Sequence, residues 1–180
     1  MRKAVLLLAI TITMTAMYAE EMTMEELGEA ICSAFAGQDF ASLRPLLLDA
    51  DDVARFLNQT TLSEEYIRMS PEERYLVDAW LAEAKHTTRQ EFEFQLYKLQ
   101  QQFEKLLSKG SDMYGIDWAD IAFESIDYAD EIESGIQRIR HDVRVIFSWN
   151  NRRYAILLAG ATYARDGWKL QYESLRLIRM

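Results

Sequence analysis

The chain has 180 residues, with 29 acidic against 20 basic side chains and a formal net charge of −9. So acidic a chain is a poor general ligand for nucleic acid or anionic lipid, whose recognition rests on basic surface. Its single cysteine, Cys32, excludes an internal disulfide.

Met1-Arg2-Lys3 is a short basic start. An apolar run from Ala4 to Met14 follows, too short to cross a bilayer, and then small residues ending at Ala19 before Glu20-Glu21. This is the order of a secretory signal peptide, although Met17 stands where a small residue is usual before cleavage. Residues 1–19 are therefore expected to be removed. The product is an exported protein, periplasmic or extracellular, with no membrane span. Removal takes away Arg2 and Lys3 and no acid, leaving 18 basic and 29 acidic residues and a net charge of −11. Residues 20–180 suffice for one domain with a sizeable core.

Thr23 followed by Glu26 has capping-box spacing, and Leu27, Ala30, Ile31, Ala34 and Phe35 recur at steps of three and four. A helix over Met24 to Ala36 follows, ended by Gly37. Cys32 lies on its apolar side and reads as a small buried hydrophobe rather than a reactive thiol. Asp39 or Ser42 starts a short segment limited by Pro45, and Asp49 to Leu57 forms another short helix. Ser70-Pro71-Glu72-Glu73 is the clearest start: Ser caps, Pro takes the first helical position and Glu73 completes the box.

That helical pattern runs to Lys109, with Gly110 placed to end it. One helix of that length would reach about 58 Å at 1.5 Å per residue. A kink or break is therefore expected near His86–Gln90, at the β-branched Thr87-Thr88. Beyond it Phe92, Leu96, Leu99, Phe103 and Leu106 form a seam. It is short for a coiled coil and is read as packing on the protein's own sheet.

From about 119 the period changes. Ile121 to Tyr128 is a strand candidate, and Asp130 to Gly135 a polar connection. Next, Ile139, His141, Val143, Val145, Phe147 and Trp149 alternate with Arg138, Arg140, Asp142, Arg144 and Ser148. Asn150-Asn151 predicts a two-residue turn, because Asn tolerates positive φ. It would set Phe147 opposite Tyr154, Val145 opposite Ile156, Val143 opposite Leu158 and His141 opposite Gly160. Asp166-Gly167 predicts a second turn, setting Gly160 opposite Glu173, Leu158 opposite Leu175 and Ile156 opposite Leu177. Alternation slips near Ser174, which allows a bulge that would move Glu173 off this face. The fold class is α+β: helices over 23–109, including a long kinked one, packed on a curved C-terminal antiparallel sheet of about four strands over 119–179.

This register gives the sheet two faces. One is apolar, with a polar end at His141, Thr162, Gln171 and Glu173. Together with Tyr154 these are the candidate ligand-binding residues of a pocket. If Glu173 reaches His141, the carboxylate holds the imidazole, and the pair is the candidate acid–base couple. A polar sheet end that simply meets solvent is the alternative. The other face gathers arginines and aromatics. Arg140, Arg144, Tyr163, Trp168 and Tyr172 are its candidate interface residues, for a second copy, a sugar or an anionic ligand. An ordinary solvated face is the alternative there. No metal site is expected, since His86 and His141 lie in no ligand-spaced motif, and Asp112, Asp117 and Asp120 lack a calcium loop. No cofactor is expected either, with no Gly-rich phosphate loop and no nucleophile elbow.

Four stretches carry a likeness: Gly37-Gln-Asp-Phe40-Ala-Ser-Leu43-Arg-Pro45, Gly115-Ile-Asp-Trp118, Tyr154-Ala-Ile-Leu-Leu158 and Asp166-Gly-Trp168-Lys-Leu170. With helices first and a curved sheet last, the chain resembles secreted bacterial members of the nuclear transport factor 2-like superfamily, SnoaL-like and related. The resemblance implies a cone-shaped fold with an enclosed pocket and dimers through the outer sheet face. Some members are isomerases or dehydratases using a pocket Asp or His. No such catalytic set matches here residue by residue, and the long helix is a departure. The expectation is an exported binding or interaction protein for an unknown small molecule or protein, more a binder than an enzyme. It would use the cone pocket or the outer sheet face, with a homodimer through that face as one arrangement. The alternative is a small isomerase- or dehydratase-like enzyme with acid–base chemistry at His141.

Overall fold

The computed structural model describes residues 21–60, 64–129, 131–134, 137–171 and 174–180. The expected signal segment lies outside them, as do Tyr172 and Glu173. Among the described residues five α-helices come first: α1 Met24–Ala36, α2 Phe40–Leu43, α3 Ala50–Thr60, α4 Glu64–Arg68 and α5 Pro71–Tyr114. Six strands follow: β1 Ala122–Asp127, β2 Glu131–Ser134, β3 Gln137–Trp149, β4 Arg152–Ala164, β5 Gly167–Leu170 and β6 Arg176–Arg179. The fold is α+β, with helices packed on a curved antiparallel sheet.

The caps act where the sequence puts them. The Thr23 hydroxyl accepts from the Glu26 N–H, and the Glu26 carboxylate accepts from the Thr23 N–H at 2.7 Å. The Thr23 N–H, and next the Thr23 hydroxyl, donate to the Glu26 carboxylate and hold it below its ordinary value. Ser70 and Glu73 repeat the box at the start of α5. Of the kink or break expected in α5, the break is absent. The helix is continuous across 86–90 and runs for 44 residues, about 66 Å at 1.5 Å per residue. Two adjacent β-branched residues cost only about 0.7 kcal/mol each in helix propensity, too little to break a helix held at both ends. Nor does Gly110 end it. Gly110 lies against the Trp118 ring, and Gly115, at φ +70°, supplies the left-handed cap.

The Asn150-Asn151 turn forms with φ of +49° and +58°, and the pairing of β3 with β4 has the expected register, from His141↔Gly160 to Phe147↔Tyr154. The second turn differs. Ala164 pairs with Gly167, so Arg165 and Asp166 are the turn residues. β5 therefore pairs Ala161↔Leu170, whereas β6 pairs Ile156↔Leu177 as expected. The two registers on β4 differ by two residues. β2 is a strand in a stretch whose composition reads as a polar connection. It pairs with the first part of β3, as β1 pairs with the second. The six strands thus fill four lanes, β1 and β2 on one edge and β5 and β6 on the other.

One sheet face is filled. Val143, Val145, Phe147, Tyr154 and Ile156 are fully buried, in one cluster with Leu27, Ile31 and Phe35 of α1 and with Leu96, Leu99, Phe103 and Leu106 of α5. The α5 seam thus serves its own core. The Phe35 ring lies 4.4 Å from that of Phe103 and 5.6 Å from that of Trp118, and Trp118 lies 5.8 Å from Phe147. Burying each such side chain is worth about 1.5–3 kcal/mol. Cys32 belongs to this cluster, and burial pushes its thiol up to about 11, which keeps it neutral and unreactive at physiological pH.

Candidate functional site

The residues proposed to line one pocket occupy three settings. Tyr154 is core. Its ring stacks at 5.6 Å on Phe147 and sits 5.7 Å from Tyr114, and its hydroxyl is buried without a hydrogen-bond partner among the described residues. An unmade bond of this kind costs about 1–3 kcal/mol. Tyr154→Phe is expected to leave stability unchanged or raise it by about 1 kcal/mol, measured by chemical denaturation. Thr162 and Gln171 form a pair: the Gln171 amide donates to the Thr162 hydroxyl at 2.8 Å. Gly160 leaves no vacancy beside them, because a Cβ there would come within 3.0 Å of Gln171 Oε1 and 2.9 Å of the Arg140 carbonyl.

His141 is exposed at the rim, six residues along β3 from Phe147, the partner of Tyr154. The pairing of β3 with β4 is interrupted at this point. Asp142 takes φ +51° within a strand, and it and Ala159 are left out of a ladder that resumes at Val143↔Leu158. On the far side of β4, β6 pairs only up to Leu157 and β5 only from Ala161. On the other edge the His141 carbonyl accepts from the Ala129 N–H at 2.9 Å, where β1 has ended and β2 has not begun. The resulting cleft of about 520 Å³ is lined by His141, Asp142, Leu157, Leu158, Ala159, Ser174 and Arg176. Residues bearing an imidazole, a carboxylate, a hydroxyl and a guanidinium thus line one cleft together with aliphatic residues. A left-handed φ outside glycine costs about 1–2 kcal/mol and concentrates at functional sites.

The opposite face is less basic than a single strand suggests. Arg138 and Arg140 stack on aromatic rings. Arg140 lies 3.9 Å from the Tyr128 ring centre and 4.4 Å from Trp168, and Arg138 lies 5.1 Å from Tyr163 and 5.5 Å from Trp168. Trp168 is only 4% exposed. Register sets Asp127 opposite Arg144, and Arg153 Nε donates to Glu124 Oε2 at 2.7 Å. Cross-strand opposite charges stabilise pairing and here discourage slippage of register.

A further polar cluster lies outside the sequence expectations. The Asp52 side chain is 2% exposed and that of Lys169 13%, and Lys169 Nζ donates to Asp52 Oδ2 at 2.6 Å. Asp49 and Asp52 also bond each other's backbone N–H at the start of α3. The only hint in the sequence is a lysine inside the apolar run Trp168-Lys-Leu170. Among the described residues no three His, Cys, Asp or Glu side chains group as metal ligands, and no helix is long and apolar enough to cross a membrane. Comparison with protein-family models, with curated proteins and with solved structures finds no match for this chain.

Proposed function

We propose that the protein is exported and binds a small polar ligand in the cleft at His141, Asp142 and Arg176, without catalysis. Export rests on the signal-like order of residues 1–19. The helix-on-curved-sheet architecture is compatible with a cone-like fold, so the nuclear transport factor 2-like resemblance stays part of the reading. The enclosed cone pocket does not, because core side chains occupy that face. The aromatic rings that engage Arg138 and Arg140, and Asp127 opposite Arg144, likewise weaken the outer face as an anion-binding or dimer surface.

One observation carries the proposal: Asp142 holds a left-handed φ in mid-strand, at the cleft that also presents His141. A thermal-shift screen of hydroxy acids, amino acids and sugars is expected to find at least one stabilising ligand. Its affinity should fall about tenfold in His141→Ala and in Arg176→Ala, the loss of one charge-assisted hydrogen bond each. A panel in which no compound distinguishes the wild type from both variants would overturn the assignment. The presence of Asp142 in the lining of the same cleft favours one second reading, acid–base chemistry at His141. Under it, His141→Gln would bind a substrate but not turn it over.

A further inference from the structure

A separate cleft of about 500 Å³ lies between α3 and the end of the β4–β5 hairpin, lined by Asp52, Arg55, Phe56, Gln59, Tyr163, Ala164 at the end of β4 and the turn residue Arg165. Its charges do not cancel. Asp52 is the one acid among the described lining residues, and Lys169 already engages it at 2.6 Å. Arg55 Nη1 stands 3.7 Å from the other Asp52 oxygen, within ion-pair range but beyond a hydrogen bond. This nitrogen is buried and donates to no described atom. Arg165 is exposed and makes no ion pair with a described residue. Glu21 is engaged by Tyr163, whose hydroxyl donates to its carboxylate. Two guanidinium groups thus line one cleft in a chain of net charge −9.

A buried guanidinium N–H without an acceptor is costly, and a carboxylate is the acceptor it fits best. The cleft is larger than a bare inorganic anion requires and falls within the range of small-molecule sites. The rings of Phe56 and Tyr163 add apolar wall. We propose that this cleft binds a small organic acid, its carboxylate held by Arg55 and Arg165 and its hydrocarbon body against Phe56 and Tyr163.

Benzoate is the probe, titrated into the full protein by calorimetry, with benzamide as the uncharged isostere and inorganic phosphate as the bare anion. Saturable benzoate binding is expected, at least about tenfold tighter than benzamide and about tenfold weaker in Arg165→Ala. Arg165 is an exposed turn residue, so this variant should keep the wild-type melting temperature. Arg55→Gln is the second variant and should weaken benzoate similarly. Four results would each overturn the proposal: no saturable response to benzoate on the order of 10 mM, equal binding of benzamide, phosphate binding without benzoate, or both variants binding as wild type. His141→Ala should bind benzoate normally, which separates this cleft from the one proposed above.

Discussion

Lys169→Met is expected to destabilise the protein by about 3–5 kcal/mol, seen as a lower denaturation midpoint at unchanged slope. The physical reason is the state in which Asp52 is left. Its carboxylate is almost wholly out of water, and Lys169 is its closest cation. Methionine nearly matches the volume but leaves a buried charge unpaired. Arg55, 3.7 Å from the other oxygen, compensates in part, which places the effect toward the low end. Asp52→Asn combined with Lys169→Met should recover most of the loss, since a buried ion pair replaced as a whole is often near neutral. The amide oxygen that Asp52→Asn introduces keeps an acceptor for the Asp49 N–H, which the Asp52 carboxylate accepts from in the wild type. A cost below about 1 kcal/mol for Lys169→Met would mean that the pair behaves as a surface ion pair and does not hold α3 to β5.

The second large effect concerns Trp118. Trp118→Ala should cost about 3–5 kcal/mol. The side chain is 2% exposed, packs on Phe35 and Phe147, and donates its indole N–H to the Leu107 carbonyl of α5 at 2.9 Å. Gly110 is the other half of this contact, because a Cβ there would overlap the Trp118 ring. Two effects then oppose each other in Gly110→Ala. Helix propensity favours alanine by about 1 kcal/mol, while overpacking costs about 1–3 kcal/mol. The wild-type background should therefore show net destabilisation. In the Trp118→Ala background the overlap is gone, and Gly110→Ala should stabilise. This reversal of sign, read in a double-mutant cycle, is the outcome a purely local view of the helix does not give.

Gly110 also shows where the sequence is legible and where it is not. A glycine after a long helical run suggests a terminus, but the reason for it is a ring eight residues on. Local signals are legible. Thr23 with Glu26 and Ser70 with Glu73 cap their helices, and Asn150-Asn151 sets the pairing of β3 with β4 residue by residue. Signals that depend on a distant partner are not. Lys169 meets Asp52 across 117 positions. The pairing of the first part of β3 emerges only once β2 is recognised as a strand, and its Glu131-Ile-Glu133 reads as a polar linker when taken alone. The second hairpin is displaced because Arg165 and Asp166, not Asp166 and Gly167, make the turn. The Gly160 carbonyl consequently accepts from the Gln171 N–H, in a register other than the one that sets Glu173 opposite Gly160 and on which the acid–base couple depends. His141 is found from alternation, whereas Asp142 is not, since nothing in the alternating pattern marks a left-handed residue in mid-strand.

The central claim is that the ligand site lies in the cleft at His141, and not between α1 and the covered sheet face. Soaking crystals of the protein with a library of small polar fragments tests this most directly. Bound fragments are expected to touch His141, Asp142, Ser174 or Arg176, with the side chains of Phe35, Phe147 and Tyr154 unmoved. Fragments lodged among Phe35, Phe147 and Tyr154, or an empty cleft at His141 across the whole library, would contradict it.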